Sequence, residues 1–507
     1  MCLLIAGQAL RTAQVLEPSA KSAFAEGCPE ILSSSCELIG SLTAQHELAS
    51  MLDHVARFLK SAWPPTDIYD AAYVYGNEAL GYLRESVSSL PRRGVFVRCM
   101  SFCFALSRAL RMSFRIGIDC PDEIADRAVF FYSSTNQRRS LAPIAERLAD
   151  SVRLAVCKDD RTMRDEPRQI PLLLPYLLSL LYLPWIVSEY FRASGYRRMS
   201  FEFALDDYLL SCGYRLYLLE VLRRKRPAAV IMANDHSMLN RVLCEVCRCL
   251  AIPTAYVQHA SVTSKFPPLA FDYAFLDGRD ALEKYTSGKS THAIILLAGM
   301  PTLDSALQEV KSAGTAKNVI ALCAHTGENI DDVVRVAEGI QLQGWRDVSV
   351  VIRPHPGDLR RMDQWRRRAA ECRAGFSDPA VEDAGTLLIR SQAVVASDSN
   401  ILLEAAMLRA KPICYPYSNP VVDWYGFIRH GVASYAGTLA ELLPQLGDPS
   451  DWSRHWLSAR RYSEVIDTEF EGRSAELIAS TLSDLTHKRS LPGVWVACGT
   501  QVYRPTQ

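Results

Sequence analysis

The sequence has no surplus of charge: 56 Lys and Arg face 56 Asp and Glu across 507 residues. A basic field over the whole protein is therefore absent, and nucleic acid is not an expected partner. A disulfide framework is missing as well. Fifteen cysteines are scattered and odd in number, which fits a reducing compartment. Their tightest group, Cys244, Cys247 and Cys249 in LCEVCRCL, lacks a second Cys/His pair at zinc-site spacing. It lies in a stretch of helical periodicity, so buried helix thiols are expected and no metal. No basic residues precede the short apolar run of MCLLIAGQAL, so a secretory signal is not expected and a cytoplasmic location is.

One long apolar run is present. Ile170 to Val187, IPLLLPYLLSLLYLPWIV, carries no charge, but Pro171, Pro175, Pro184 and Ser179 interrupt it. Arg164 and Arg168 flank one end and Arg192, Arg197 and Arg198 the other, so loop charge gives no orientation across a bilayer. A hairpin over 170–191, buried or resting on the inner face of a membrane, is expected over a true span.

A chain of this length is too long for one ordinary core. From about Asp126 short apolar runs alternate with helical periodicity: RAVFFYSS, VRLAV, AAVIMA, PTAYVQ, FDYAFLDG and HAIILLAG read as strands. The pattern restarts after AGMPTLD with NVIALCA, DVSVVIR, AVVAS and KPICY. Continuous apolar strands separated by helices mean parallel sheets covered on both faces. The expected fold class is α/β, with two facing Rossmann-like domains and a mostly helical N-terminal accessory region. The divisions are an accessory region over 1–125, an acceptor domain over 126–297, a nucleotide-donor domain over 298–450, and C-terminal helices over 451–507 packing back across the hinge. GVFVRCMSFCFAL, within the first region, could be strand or helix.

Ligands of open parallel sheets bind at the carboxyl ends of the strands, so the polar residues just after each strand are the informative ones. In VVIRPHPGD, Arg353 and His355 leave a buried strand in a loop fixed by two prolines. An imidazole there can donate to a diphosphate oxygen or protonate a leaving phosphate, and the guanidinium can fork onto phosphate. The plainer alternative is a loop histidine capping the next helix. Thr326 and Gly327 occupy the loop after NVIALCA. In VVASDSNILLEAAML, Ser397, Asp398, Ser399 and Asn400 can surround a phosphate, or simply cap a helix. Glu404 lies among apolar neighbours, where an unpaired carboxylate is costly and a ribose diol would satisfy it.

RPHP followed some forty residues later by SDSNILLEAAMLRAKPICY resembles the donor half of GT-B-fold enzymes. The likeness is to bacterial surface-polysaccharide transferases of the capsule and sialyltransferase type. It extends to the CDP-glycerol glycerophosphotransferases and more distantly to the UDP-GlcNAc 2-epimerases, and it covers about 235–417. The resemblance implies that His355-Pro356 and Ser397 or Ser399 hold a nucleotide phosphate, and that Glu404 takes the ribose. Asn400 and Ile401 stand where the epimerase element has glycines, which disfavours epimerase chemistry.

The first half would then serve the acceptor. Asp235 and His236 follow one strand, Gln258 and His259 another, and Ser134 and Asn136 the first. The resemblance implies a catalytic histidine at His259, although Ala260 replaces the usual glycine after it. The catalytic set is then His355, His259 and Asp235, with Asp235 or His259 as base. No metal and no cofactor is required, because amides, His and Arg can carry the phosphate charge. The expected partners are a CMP-, CDP- or UDP-linked sugar donor, a glycan or lipid-linked acceptor, and an inner-membrane surface. A CDP-alditol phosphotransferase and a non-catalytic binding subunit remain as alternatives.

Overall fold

The computed structural model describes residues 94–506 and Asn77, apart from 118, 157–165, 167, 313–316, 346, 449–450 and 488. Most of the accessory region expected over 1–125 lies outside the described residues. The chain divides into two compact units, 1–118 with 171–221, and 119–170 with 222–507.

The smaller unit is helical where described. GVFVRCMSFCFAL belongs to the helix Val95–Ile116. The apolar run forms two helices, Leu173–Ser179 and Leu183–Arg192, joined by a single 3₁₀ turn over Leu180–Tyr182. Pro184 sits in the first turn of the second, where its missing N–H costs nothing. A long helix, Gly195–Arg224, follows with a kink at Ala204. Gly213 allows a close approach of the two helices, since a Cβ there would stand 2.0 Å from the Pro175 carbonyl oxygen. Phe102 packs edge-on against Tyr176 at 5.4 Å, and Asp206 takes Ser101 and Arg98.

The larger unit holds two sheets. The first has the order β13 (Trp495–Gly499), β14 (Val502–Pro505), then β6-β5-β4-β3-β1-β2. Its parallel strands are β1 (Ala128–Tyr132), β2 (Ser151–Ala155), β3 (Ala229–Met232), β4 (Thr254–Val257), β5 (Tyr273–Leu276) and β6 (Ile294–Leu297). The second has the order β12-β11-β10-β7-β8-β9 and is wholly parallel. It consists of β7 (Val319–Cys323), β8 (Ser349–Arg353), β9 (Gly375–Phe376), β10 (Ser391–Ala396), β11 (Lys411–Cys414) and β12 (Ser434–Tyr435). The two Rossmann-like sheets expected from sequence are present.

The strands read as unbroken apolar runs because both faces are covered. On β7, Val319, Ala321 and Cys323 enter one core with Leu402, Leu403 and Met407. Ile320 and Leu322 enter the other with Val333, Ala337 and Trp365. In each sheet the order reverses once, between β1 and β3 and between β7 and β10. A crevice opens where neighbouring strands send their chains to opposite sides, so both reversals mark ligand positions.

The C-terminal segment returns to the first sheet. Arg461 and Glu464 bond to the backbone after β5, at 2.9 Å each. They lie so tightly over Gly278 that a Cβ there would be 2.7 Å from the Tyr462 backbone. The helix Ser474–Thr486 begins on Asp304, whose carboxylate accepts the Ser474 and Ala475 amides at 2.9 and 2.7 Å. It packs beside the helix Thr135–Ala145. The chain then ends in an antiparallel hairpin, β13 (Trp495–Gly499) and β14 (Val502–Pro505), added to β6. That hairpin goes beyond the helices expected over 451–507.

Candidate active site

A cavity of about 510 Å³ opens between the carboxyl ends of the two sheets. The second sheet contributes Arg353, His355, Ser399, Asn400 and Glu404, and the first contributes Asn136, Arg139, His259 and Ala260. A direct bond from Ser261 Oγ to Asn400 Oδ1 at 2.6 Å ties the two sides at its edge.

His355 leaves β8 in a short loop whose geometry fixes its tautomer. The Gly357 amide donates to Nδ1 at 3.0 Å, so the neutral ring carries its proton on Nε2. Burial, and then the neighbouring His325, lower its pKa. At neutral pH the ring is therefore a hydrogen-bond donor through Nε2, suited to a phosphate oxygen, and holds no spare acidic proton. Of the two roles expected for it, donation fits this state better than protonation.

Arg353 is buried. One guanidinium nitrogen donates to Ser377 Oγ at 2.7 Å and to the Glu382 carbonyl at 2.9 Å. No carboxylate lies within ion-pair distance of it among the described residues, and burial lowers its pKa. The carboxylates of Glu382 and Asp383 act on it from beyond ion-pair distance, and an anionic ligand at the cavity wall would add a direct counter-charge.

Glu404 is a turn into the short helix Ile401–Met407. Asn400 donates to its Oε1 at 3.3 Å, and burial raises its pKa to about 7, with Asn400 opposing. The Ser399 hydroxyl makes no hydrogen bond within the protein among the described residues. Across the cavity, His259 follows β4 with its Nδ1 buried and unpartnered. Burial lowers its pKa to about 4, against the opposing field of Asp235.

The remaining expected residues stand outside the cavity lining. Ser134 caps the helix Thr135–Ala145 through the Gln137 amide. Asp235 is buried, accepting from Tyr285 at 2.7 Å and from His236 Nδ1 at 2.8 Å. Asn234 closes the same turn by accepting the His236 and Ser237 amides. Gln258 is buried and spans β4 and β5, donating to the Ala260 carbonyl and accepting the Asp277 amide, both at 3.0 Å. Asp398 accepts the Trp424 amide at 2.6 Å. Ser397 is partly exposed, and Thr326 and Gly327 lie exposed on the loop beside His355.

Two features escape a reading of strand tips alone. Arg139, exposed and lining the cavity, is one turn beyond Asn136 on the same helix face. The second is lateral order: β7 runs between β8 and β10. The His355 and Ser399 loops therefore leave strands on either side of a central one.

Two facing Rossmann-like sheets with a cavity at their carboxyl ends define the class. No protein-family model matches the chain, and no curated protein matches it. Among solved structures it is similar to a UDP-GlcNAc 2-epimerase from Neisseria meningitidis bound to UDP-GlcNAc, at 13% identity and a TM-score of 0.47, covering 71% of this chain and 100% of that one. The corresponding enzyme of Methanocaldococcus jannaschii, in complex with UDP-GlcNAc and UDP, matches at 14% identity and a TM-score of 0.46, covering 70% and 99%. MurG of Acinetobacter baumannii matches at 11% and 0.44, covering 71% and 99%. At these scores the functional reading rests on the side chains of this chain.

Proposed function

We propose that the chain is a glycosyltransferase that moves a sugar from a nucleotide-activated donor to a glycan or lipid-linked acceptor. The observation that carries the reading is the cavity wall. A buried Arg353 without a carboxylate partner, an Nε2–H donor on His355 and the unpartnered Ser399 hydroxyl form the anion-binding side, and Glu404 stands next to it. A diphosphate with a ribose diol answers each of these groups. Charge on the departing nucleotide would fall to Arg353 and His355, joined by Arg139 from the opposite wall.

In the transfer, the bond between the anomeric carbon and the phosphate oxygen breaks and one to the acceptor oxygen forms. The acceptor proton must leave. His259, neutral and lining the cavity from the first sheet, is the acceptor-side group placed to meet that hydroxyl once its buried Nδ1 is turned toward it. Asp235 is held between Tyr285 and His236, so its part is to orient the acceptor wall.

The test is a panel of CMP-, CDP-, UDP- and GDP-linked compounds, read by thermal shift and by nucleotide release. A ligand at a hundredfold its Kd raises native stability by about 2.7 kcal/mol. His355→Ala is expected to abolish most of that shift and to slow release by roughly a hundredfold. Unchanged release by the variant removes His355 from the site. Release of a nucleoside monophosphate from a CDP-alditol, with no sugar transferred, replaces the reading by alditol-phosphate transfer.

A further inference from the structure

The helical unit exposes apolar surface in a pattern. Ten of the eighteen exposed large apolar side chains of the described chain lie in its few helices. On Val95–Ile116, Phe96, Met100, Phe104, Leu110 and Phe114 fall within about 120° of the helix circumference at 100° per residue. Phe96 is 76%, Phe104 69% and Phe114 86% exposed. The opposite face is the packed one, with Phe102 and Ala109 buried.

The second element repeats this. Leu173–Arg192 is long and apolar enough to cross a membrane, but a third of it is buried within the protein. Tyr176, Tyr182 and Ile186 are among the buried residues. Leu183, Val187 and Phe191, four residues apart, are exposed. Because one face is occupied by protein, a lipid-wrapped span is the poorer fit, whereas lying flat needs only the free face.

Charge selects the occupant. Val95–Ile116 carries four arginines and no acidic residue. Arg111 is exposed within its apolar stripe, and Arg192 is exposed at the end of the second element, 3.5 Å from Glu189. A second copy of the chain would bring the same arginines against themselves. An anionic surface with an apolar interior meets both the phenylalanines and the guanidinium groups.

We propose that this unit docks on an anionic lipid bilayer, with the two apolar faces inserted at headgroup depth and the arginines on lipid phosphate. The inference does not rest on the reading of the cavity. It is tested with the full chain and no nucleotide, by flotation with phosphatidylcholine vesicles lacking or containing a third phosphatidylglycerol. Binding is expected to the mixed vesicles, weakening with salt. Phe96→Asp, Phe104→Asp and Phe114→Asp should each weaken it about tenfold or more, and Arg111→Glu severalfold. These side chains are exposed, so the melting temperature should hold. Failure to bind the mixed vesicles overturns the proposal, as does binding that the aspartate variants leave intact. An oligomer in sedimentation that the same variants dissociate, with no vesicle binding, overturns it in favour of self-association.

Discussion

At the ends of β3 and β4, Asn234, Asp235 and Gln258 commit their polar atoms to neighbouring backbone, to His236 and to Tyr285. At the ends of β8 and β10, the His355 Nε2 side, the Ser399 hydroxyl and one oxygen of Glu404 have no such commitment and line the cavity. Both sheets place polar residues at the same topological position. The difference teaches that position alone does not make a site. A strand-tip group whose valences are closed within a few residues is framework, and one left open beside a cavity is available to a ligand. His259 is the exception on the first sheet and for that reason its best candidate.

The comparison is sharpest at Asp235, where the largest effect is expected. Asp235→Ala leaves the Tyr285 hydroxyl and the His236 imidazole facing an empty buried space. A loss of roughly 3 kcal/mol in denaturant unfolding should follow, with nucleotide affinity unchanged within about threefold, an allowance for non-additivity. The reverse result, intact stability with lost turnover, would make Asp235 a base and erase the contrast between the sheets.

The next effect is in pH dependence. Glu404 has a native pKa of about 7 against an ordinary 4.5. Between those values the folded state holds a proton that the unfolded state has released, so stability falls as pH rises through that window. His259 acts in the opposite direction. With a native pKa of about 4 against 6.5, it resists protonation that the unfolded chain accepts, and stability falls as pH drops from 6.5 toward 4. Each slope amounts to at most roughly 3 kcal/mol. The two windows overlap between 4.5 and 6.5, so the slopes offset each other there: Glu404→Gln should leave the stability of the ligand-free protein rising with pH and weaken nucleotide binding, while His259→Gln should leave it falling. If neither variant changes the pH dependence in urea titrations across pH 4 to 8, other groups carry it, and the open character of these two side chains is lost.

Much of this was legible in the sequence because burial on both faces writes a strand as an unbroken apolar run. VFFY, VIM and VIALC are examples, each followed by its polar tip. Which tips stay open was not legible. Asn234 and Ser399 look alike as residues after a strand, and only the turn that folds Asn234 onto the amides of 236 and 237 separates them. Lateral order was hidden too, since nothing in VVIRPHP states that β7 lies between it and SDSN. Arg139 could have been found by helical spacing from Asn136. The terminal hairpin was misleading for another reason, since GVWVACG is an apolar run like those of the inner strands, yet most of Trp495–Gly499 is exposed at the sheet edge.

The smallest expected effect tests the geometry of a single ring. Gly357 both supplies the amide that fixes the His355 tautomer and leaves room for it, because a Cβ at that position would lie 3.1 Å from Nδ1. Its backbone is not in the left-handed region, so alanine is tolerated conformationally and acts through that contact alone. Gly357→Ala should push the ring by a few tenths of an ångström and lengthen the bond it accepts. A change of this size in one hydrogen bond is worth about 1 kcal/mol or less, and nucleotide affinity should fall about two- to fivefold, with the melting temperature of the ligand-free protein unchanged. A loss as large as that of His355→Ala would mean that the loop as a whole, through its amides, holds the anion. No change would mean that the imidazole reaches its partner irrespective of the Gly357 bond, and the tautomer argument would fall while the anion-binding wall stood.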